Sequence, residues 1–244
     1  TITLKETIST RDSIMIYLIN KGVDKKKSFK IMESVRKGKG LSEEDIKDMK
    51  ASNVPDWYIK SCQTIKYMFP KAHAAAYVMM AFRIAYFKVN YPMAYYAAYF
   101  TVRACDDFDY STMCKGIDIA RDAIREIHEK GQSATAKDKT KLTVLEIVVE
   151  FYARGFNFLP IDLYKSDAKK FIISDNSLIP PFNSLQGLGL TAAQSIVEGR
   201  ANVEEFHTIE EFKENTSVGK TLIELLKENG VLKGIPETNQ LTLF

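Results

Sequence analysis

Apolar residues recur at helical spacing along most of the chain. Residues 10–37 predict two helices. Arg11-Asp12 open the first, with Ile14, Tyr17 and Leu18 on one face and Gly22 past its end. The second carries Phe29, Ile31, Met32 and Val35 and stops at Gly38-Lys39-Gly40. Ser42 and Asp45 form a capping box for a short helix reaching about Ala51. Pro55 starts another, which includes Trp57, Ile59, Cys62 and Ile65. Pro70 interrupts, an Ala-rich helix is expected from about Ala72 to Val89, and Pro92 opens one from Met93 to Arg103. Helices follow at about 110–130 and 137–155, separated by Gly131 and a polar loop. From Phe158 to Leu178 the pattern shortens to β-like runs, Phe171-Ile172-Ile173 the clearest, with Asp175-Asn176-Ser177 as the turn. After Pro180-Pro181 helices resume until Leu232, and no internal repeat or low-complexity tract is evident. The expected fold class is mainly α with a small β element.

Charge divides the chain in two. Residues 1–103 hold 18 basic and 9 acidic residues, a balance of +9, whereas residues 104–244 hold 16 and 22, a balance of −6. A nucleic-acid surface in the second half must therefore rely on backbone donors more than on charge. Asp106-Asp107-Phe108-Asp109 marks the change and the expected boundary at 103/104. Cys62, Cys105 and Cys114 include no C-x-x-C pair and read as reduced thiols of a cytoplasmic protein, with neither disulfide nor zinc implied. Arg83, Lys88 and Pro92 break the longest apolar stretch, so no membrane span is expected. The chain begins at Thr1 without Met, as a piece cut from a longer chain would.

Between Asp56 and Asp106 there is no Asp or Glu, while six Lys or Arg and 13 of the 27 aromatic residues fall there. Such a surface suits phosphates and flat rings. Lys71 and His73, at the start of the Ala-rich helix, are candidates for a triphosphate. Tyr77, one turn beyond His73, is a candidate for stacking on a base or sugar. For most of the other aromatics, helix packing is the simpler role. The lysine-rich run from Lys25 to Lys39 could grip a phosphate backbone or be a solvated helix face. Leu185-Gln186-Gly187-Leu188-Gly189, followed by a helix, fits the hairpin of a helix-hairpin-helix module, and Ser217-Val218-Gly219-Lys220 fits a second turn. Glycine there would let backbone amides reach a duplex phosphate. The terminal Gln240-Leu241-Thr242-Leu243-Phe244 resembles the short peptide by which bacterial proteins hold the sliding clamp.

Lys66-Tyr67-Met68-Phe69-Pro70-Lys71-Ala72-His73-Ala74-Ala75-Ala76-Tyr77, with Lys88, Tyr91 and Pro92 downstream, resembles bacterial class C replicative polymerases. The specific likeness is to the C-terminal portion of the DNA polymerase III alpha subunit of PolC type. Glu33–Leu41, Tyr99–Ala104 and Asn176–Asn183 share that likeness. The resemblance implies a helical fingers segment at 1–103. A duplex-binding, α-rich domain follows at 104–235, with tandem helix-hairpin-helix at about 180–232, and then a clamp-binding tail at 236–244. It implies Phe69, Lys71, His73, Tyr77 and Arg83 for the incoming dNTP, with Lys37, Lys39, Gly187, Gly189, Gly219 and Lys220 for primer-template DNA. Gln240, Leu241, Leu243 and Phe244 would meet the clamp. The family's Mg²⁺-holding palm carboxylates lie outside this stretch, so the parent would be a DNA-directed DNA polymerase while the piece has no catalytic residue of its own. The alternative is a stand-alone helix-hairpin-helix DNA-binding or repair factor tethered to the clamp. Arg200-Ala201-Asn202 lacks the longer charged extension common after the first hairpin in the family, which leaves the link between hairpins open.

Overall fold

The computed structural model describes residues 2–3, 6–103 and 107–238. Packing divides the chain into two compact units, 1–85 and 86–244.

The first unit contains α1 (Arg11–Asn20), α2 (Lys25–Arg36), α3 (Glu43–Ala51), α4 (Asp56–Thr64) and the start of α5 (Lys71–Asn90). The expected capping box sets the start of α3. The Ser42 Oγ accepts from the Asp45 N–H at 3.1 Å, and the Asp45 carboxylate accepts from the Ser42 N–H at 3.0 Å. Ile14, Leu18, Ile31, Val35 and Met49 form a closed core with Tyr58, whose ring stacks on Tyr17 at 4.1 Å. Cys62 belongs to this core, and burial pushes its thiol up to about 12. No residue of α5 is buried.

The second unit begins with the end of α5 and α6 (Pro92–Ala98), which runs into a π-helical turn at Tyr99–Arg103. The units divide at 85/86 rather than at the composition change at 103/104. Tyr96, Ala97 and Phe100 account for the difference, because they bury in one core with Phe108, Phe151 and Phe158. The Glu150 carboxylate fastens α6 and the end of α5 to a later helix. It accepts from Lys88 Nζ at 2.7 Å and from the Tyr96 hydroxyl at 2.6 Å.

The helix expected at 110–130 is interrupted. Gly116, at φ +108°, separates α7 (Tyr110–Met113) from α8 (Ile117–Glu129). Helix α9 (Ala136–Ala153) packs on α8. Strands β1 (Asn157–Phe158), β2 (Ile172–Ser174) and β3 (Ser177–Ile179) form a sheet in the order β1-β3-β2. β1 is parallel to β3, with Asn157 opposite Ser177, and β2 is antiparallel to β3, with Ile173 opposite Leu178. Asp175, at φ +52°, makes the expected turn. The last three helices, α10 (Leu190–Arg200), α11 (Ile209–Asn215) and α12 (Lys220–Glu228), surround a second core that includes Phe182, Ile196, Phe212 and Leu226. The fold is mainly α with a small sheet, as expected. Among the described residues no helix is long and apolar enough to cross a membrane.

Candidate nucleic-acid interface

In the first unit, Phe69, His73 and Tyr77 sit at successive i, i+4 positions, so their rings rise along one face. Phe69 stacks on His73 at 4.6 Å, His73 lies 4.5 Å from Tyr77, and Tyr67 meets Phe69 edge-on at 5.1 Å. All four side chains are exposed, Tyr77 at 67%. His73 is thus a ring in a stack as well as a donor. Lys71 stands exposed at the helix start. Its backbone N–H, though, donates to Asp12 Oδ2 at 2.6 Å, while the Arg11 N–H donates to the Phe69 carbonyl at 3.1 Å. The stretch lacks acids in sequence, yet α1 delivers a carboxylate to its most anion-attracting amide. Arg83 lies twelve residues beyond Lys71, about 18 Å along the helix. The structure therefore groups Phe69, Lys71, His73 and Tyr77 and leaves Arg83 apart.

Three of the seven basic residues in the lysine-rich run are paired with carboxylates. Lys27 pairs with Glu44 at 2.8 Å and with Asp48. Arg36 donates to both oxygens of Glu33 at 2.9 and 2.8 Å, and Lys37 lies 3.2 Å from the same carboxylate. Those hydrogen bonds, Arg36's first, hold Glu33 down to about 2. Lys39 forms no ion pair among the described residues. Gly38 has a packing reason for being glycine, since a Cβ there would sit 2.4 Å from the Lys66 carbonyl oxygen.

The second unit presents two hairpins that share the pattern of their exits into a helix, although only the first turns on a positive-φ glycine. A 3₁₀ turn at Phe182–Ser184 leads into Leu185–Gly189 and then α10. Gly187 reverses the chain at φ +94°, a conformation an L side chain rarely adopts. Leu185 and Leu188 are buried, anchoring both sides of the turn. In the second hairpin, Thr216–Gly219 joins α11 to α12 with Val218 buried in the place of Leu188. Leu188-Gly189-Leu190-Thr191 and Val218-Gly219-Lys220-Thr221 thus stand thirty positions apart in the same role. Four residues past each glycine come the buried Ala193 and Ile223, and seven past come the buried Ile196 and Leu226. This is an internal repeat of the kind a tandem helix-hairpin-helix implies, although no repeat is evident from the sequence pattern alone. It shows in the sequence only as an aliphatic-Gly-x-Thr match.

The repeats lock together closely. Ser195 Oγ accepts the Ser217 N–H at 2.5 Å, and a Cβ on Gly199 would lie 2.4 Å from the Asn215 carbonyl oxygen. Gly187 lies near Leu225 of α12.

Side-chain caps are present at some helix starts and not at others: α6 and α8 lack them, as do the two hairpin helices. Ser42, Thr135 and Thr208 cap α3, α9 and α11 through side-chain oxygens. Gly189 and Gly219 cap α10 and α12 with no side-chain hydrogen bond, and neither first turn contains an acid. The N–H groups of Leu190, Thr191, Lys220 and Thr221 meet no acceptor among the described residues. Both capping glycines have ordinary backbone angles, with φ −70° and −78°. Nothing lies within 4 Å of a Cβ built on either. The fold does not require glycine there, and bare amides at a helix N-terminus are a setting that suits an anion. Lys220 adds an exposed cation at the second start. Gln240, Leu241, Leu243 and Phe244 lie outside the described residues.

Residues 155–241 match the family described as "Helix-hairpin-helix motif". Over 242 residues, 99% of the chain, the sequence is 59% identical to DNA polymerase III PolC-type of Caldanaerobacter subterraneus subsp. tengcongensis. It is 56% identical over all of the chain to the Bacillus cereus protein of that name, and 55% identical over 99% to that of Bacillus subtilis. The chain belongs to the PolC-type DNA polymerase III family. It spans 17% of the length of these curated relatives. The matched motif takes in both hairpins. Among the described residues no three His, Cys, Asp or Glu are grouped to hold a metal ion.

Proposed function

We propose that this stretch grips the primer-template duplex for a replicative, PolC-type DNA-directed DNA polymerase. The observation that carries the reading is the pair of glycine-capped helix starts at 189–191 and 219–221. Their N–H groups are bare, and the repeats are rigidly joined through Ser195 and Gly199. Two anion sites fixed in one rigid body suit two phosphates of a duplex backbone. Such contacts hold register without reading sequence. They also explain how a half of net charge −6 can meet DNA, because the donors are peptide dipoles rather than side-chain charges.

In this reading Lys71 and His73 meet the triphosphate of the incoming dNTP, with Phe69 and Tyr77 walling its base or sugar. Triphosphate at the α5 start must share or displace Asp12. The final Gln240-Leu241-Thr242-Leu243-Phe244 holds the sliding clamp. The carboxylates that hold the polymerase's Mg²⁺ belong elsewhere in the parent, and the stretch alone is not catalytic. Two observations support this over a stand-alone accessory factor. Identity runs through the first unit as well as the hairpins, and α5 carries apolar side chains on all sides without burying one, as a helix covered by a larger protein does.

Fluorescence anisotropy of the 244-residue chain on labelled primer-template duplex tests the reading. Binding should weaken steeply with salt, because each neutralised phosphate releases counterions. No binding at low salt would refute it.

A further inference from the structure

The first hairpin does not stand alone on its surface. Gln186, Gly187 and Gly189 line a groove of about 670 Å³ with Asp107 and Asp109, and the wall contributed by α9 includes Lys137, Asp138 and Lys141. The charges are not equivalent. Lys141 Nζ is held by Asp109 Oδ2 at 2.9 Å and by the Thr112 hydroxyl at 3.2 Å. Burial would raise the Asp109 carboxyl, but hydrogen bonds from Ser111, Thr112 and Lys141 outweigh it and keep the group ionised, at about 2. Asp138 is held by Lys130 at 2.7 Å and by the Thr135 N–H and hydroxyl. Asp109 and Lys141 thus neutralise each other in the groove, and Asp138 is neutralised by Lys130 from outside its lining. What remains is Lys137, exposed and in no ion pair among the described residues. Opposite in sign stands Asp107, which forms no ion pair among the described residues and lies 3.1 Å from the Thr140 hydroxyl, itself also within reach of the Ala136 and Lys137 carbonyls. The start of α9 is itself capped by Thr135, so this wall offers a side-chain cation and not bare amides.

We infer that the duplex backbone continues from the first hairpin through this groove, with Lys137 taking a further phosphate of the strand gripped at Gly187–Thr191. The inference rests on the duplex-gripping reading of the hairpins. A DNA strand is the occupant that fits. The groove is lined by Gly187, Leu188 and Gly189 of the first hairpin, next in sequence to the bare amides, and Lys137 is its one cation in no ion pair among the described residues. Asp107 opposes the strand and tunes its affinity downward.

Anisotropy on the same duplex, titrated across salt with the full chain, tests this. Lys137→Gln should lower affinity roughly fivefold at low ionic strength and flatten the salt slope by about one unit. Asp107→Asn, which keeps an acceptor for Thr140, should tighten binding about twofold. Unchanged affinity and slope in Lys137→Gln, with binding lost in a Gly189→Asp/Gly219→Asp chain, overturns the groove path and spares the hairpin reading. Absence of duplex binding by the unaltered chain overturns both. Should Lys137→Gln fail to fold by circular dichroism, Asp107→Asn decides: tighter binding supports the path, and unchanged or weaker binding overturns it.

Discussion

A chain with Gly189→Asp and Gly219→Asp should lose duplex binding about a hundredfold while melting no lower than the parent. The two effects have opposite signs for one reason. Both glycines have backbone angles open to any L residue, and both have open space where a Cβ would go. Aspartate is a better N-cap than glycine by a few tenths of a kcal/mol, since its carboxylate accepts from the first-turn amides and complements the helix dipole. Those amides are the proposed phosphate donors. Once an internal carboxylate occupies them they cannot serve DNA, and a new negative charge faces the strand. Two charge-assisted hydrogen-bond sites lost amount to roughly 3 kcal/mol or more, hence the hundredfold. Thermal melts and anisotropy on the same preparation separate stability from binding. Retained affinity in a stably folded double variant would mean that the bare helix starts do not carry the duplex.

The reverse pattern is expected at Gly199. Alanine is the better helix former by about 1 kcal/mol, and in an isolated helix Gly199→Ala would stabilise α10. Here the added methyl would stand 2.4 Å from the Asn215 carbonyl oxygen and 2.7 Å from Thr216 Cγ2. Neither is the far end of a flexible side chain, so α10 must move away from the second hairpin. That movement breaks the Ser217 to Ser195 hydrogen bond and loosens packing around Ile196 and Phe212. Overpacking of this kind costs about 1–3 kcal/mol beyond the helix gain. The melting temperature should fall by about 5 °C, read by calorimetry. Binding should weaken as well, because the two anion sites lose their fixed spacing. A melting temperature equal to or above the parent's would show that the hairpins are not locked through Gly199.

The sequence made legible those features whose cause is local. Pro55, Pro70 and Pro92 mark the starts of α4, α5 and α6, and the Ser42–Asp45 capping box marks α3. Gly187 was visible as a hairpin glycine, and its positive φ supplies the reason. What escaped depends on residues far apart. Asp12 reaches the α5 start across 59 residues, so the absence of nearby acids misled about the charge there. Gly38 lies in a Gly-Lys-Gly that suggests phosphate, yet its glycine answers to the Lys66 backbone. The hairpin repeat rests in sequence on three matching positions, and its evidence is the burial of Leu188 with Val218 and of Ile196 with Leu226. Lys137 carried no signal at all. It stands out only because Lys130 and Lys141 are each held by a carboxylate. The break at Gly116 was missed because the apolar period continues on both sides of it.

Amide hydrogen exchange of the 244-residue chain, with and without saturating duplex, measures the central claim at its own atoms. The account predicts slowed exchange at residues 189–191 and 219–221 together, reversed when salt releases the DNA. Duplex bound with exchange at both helix starts unchanged would contradict it.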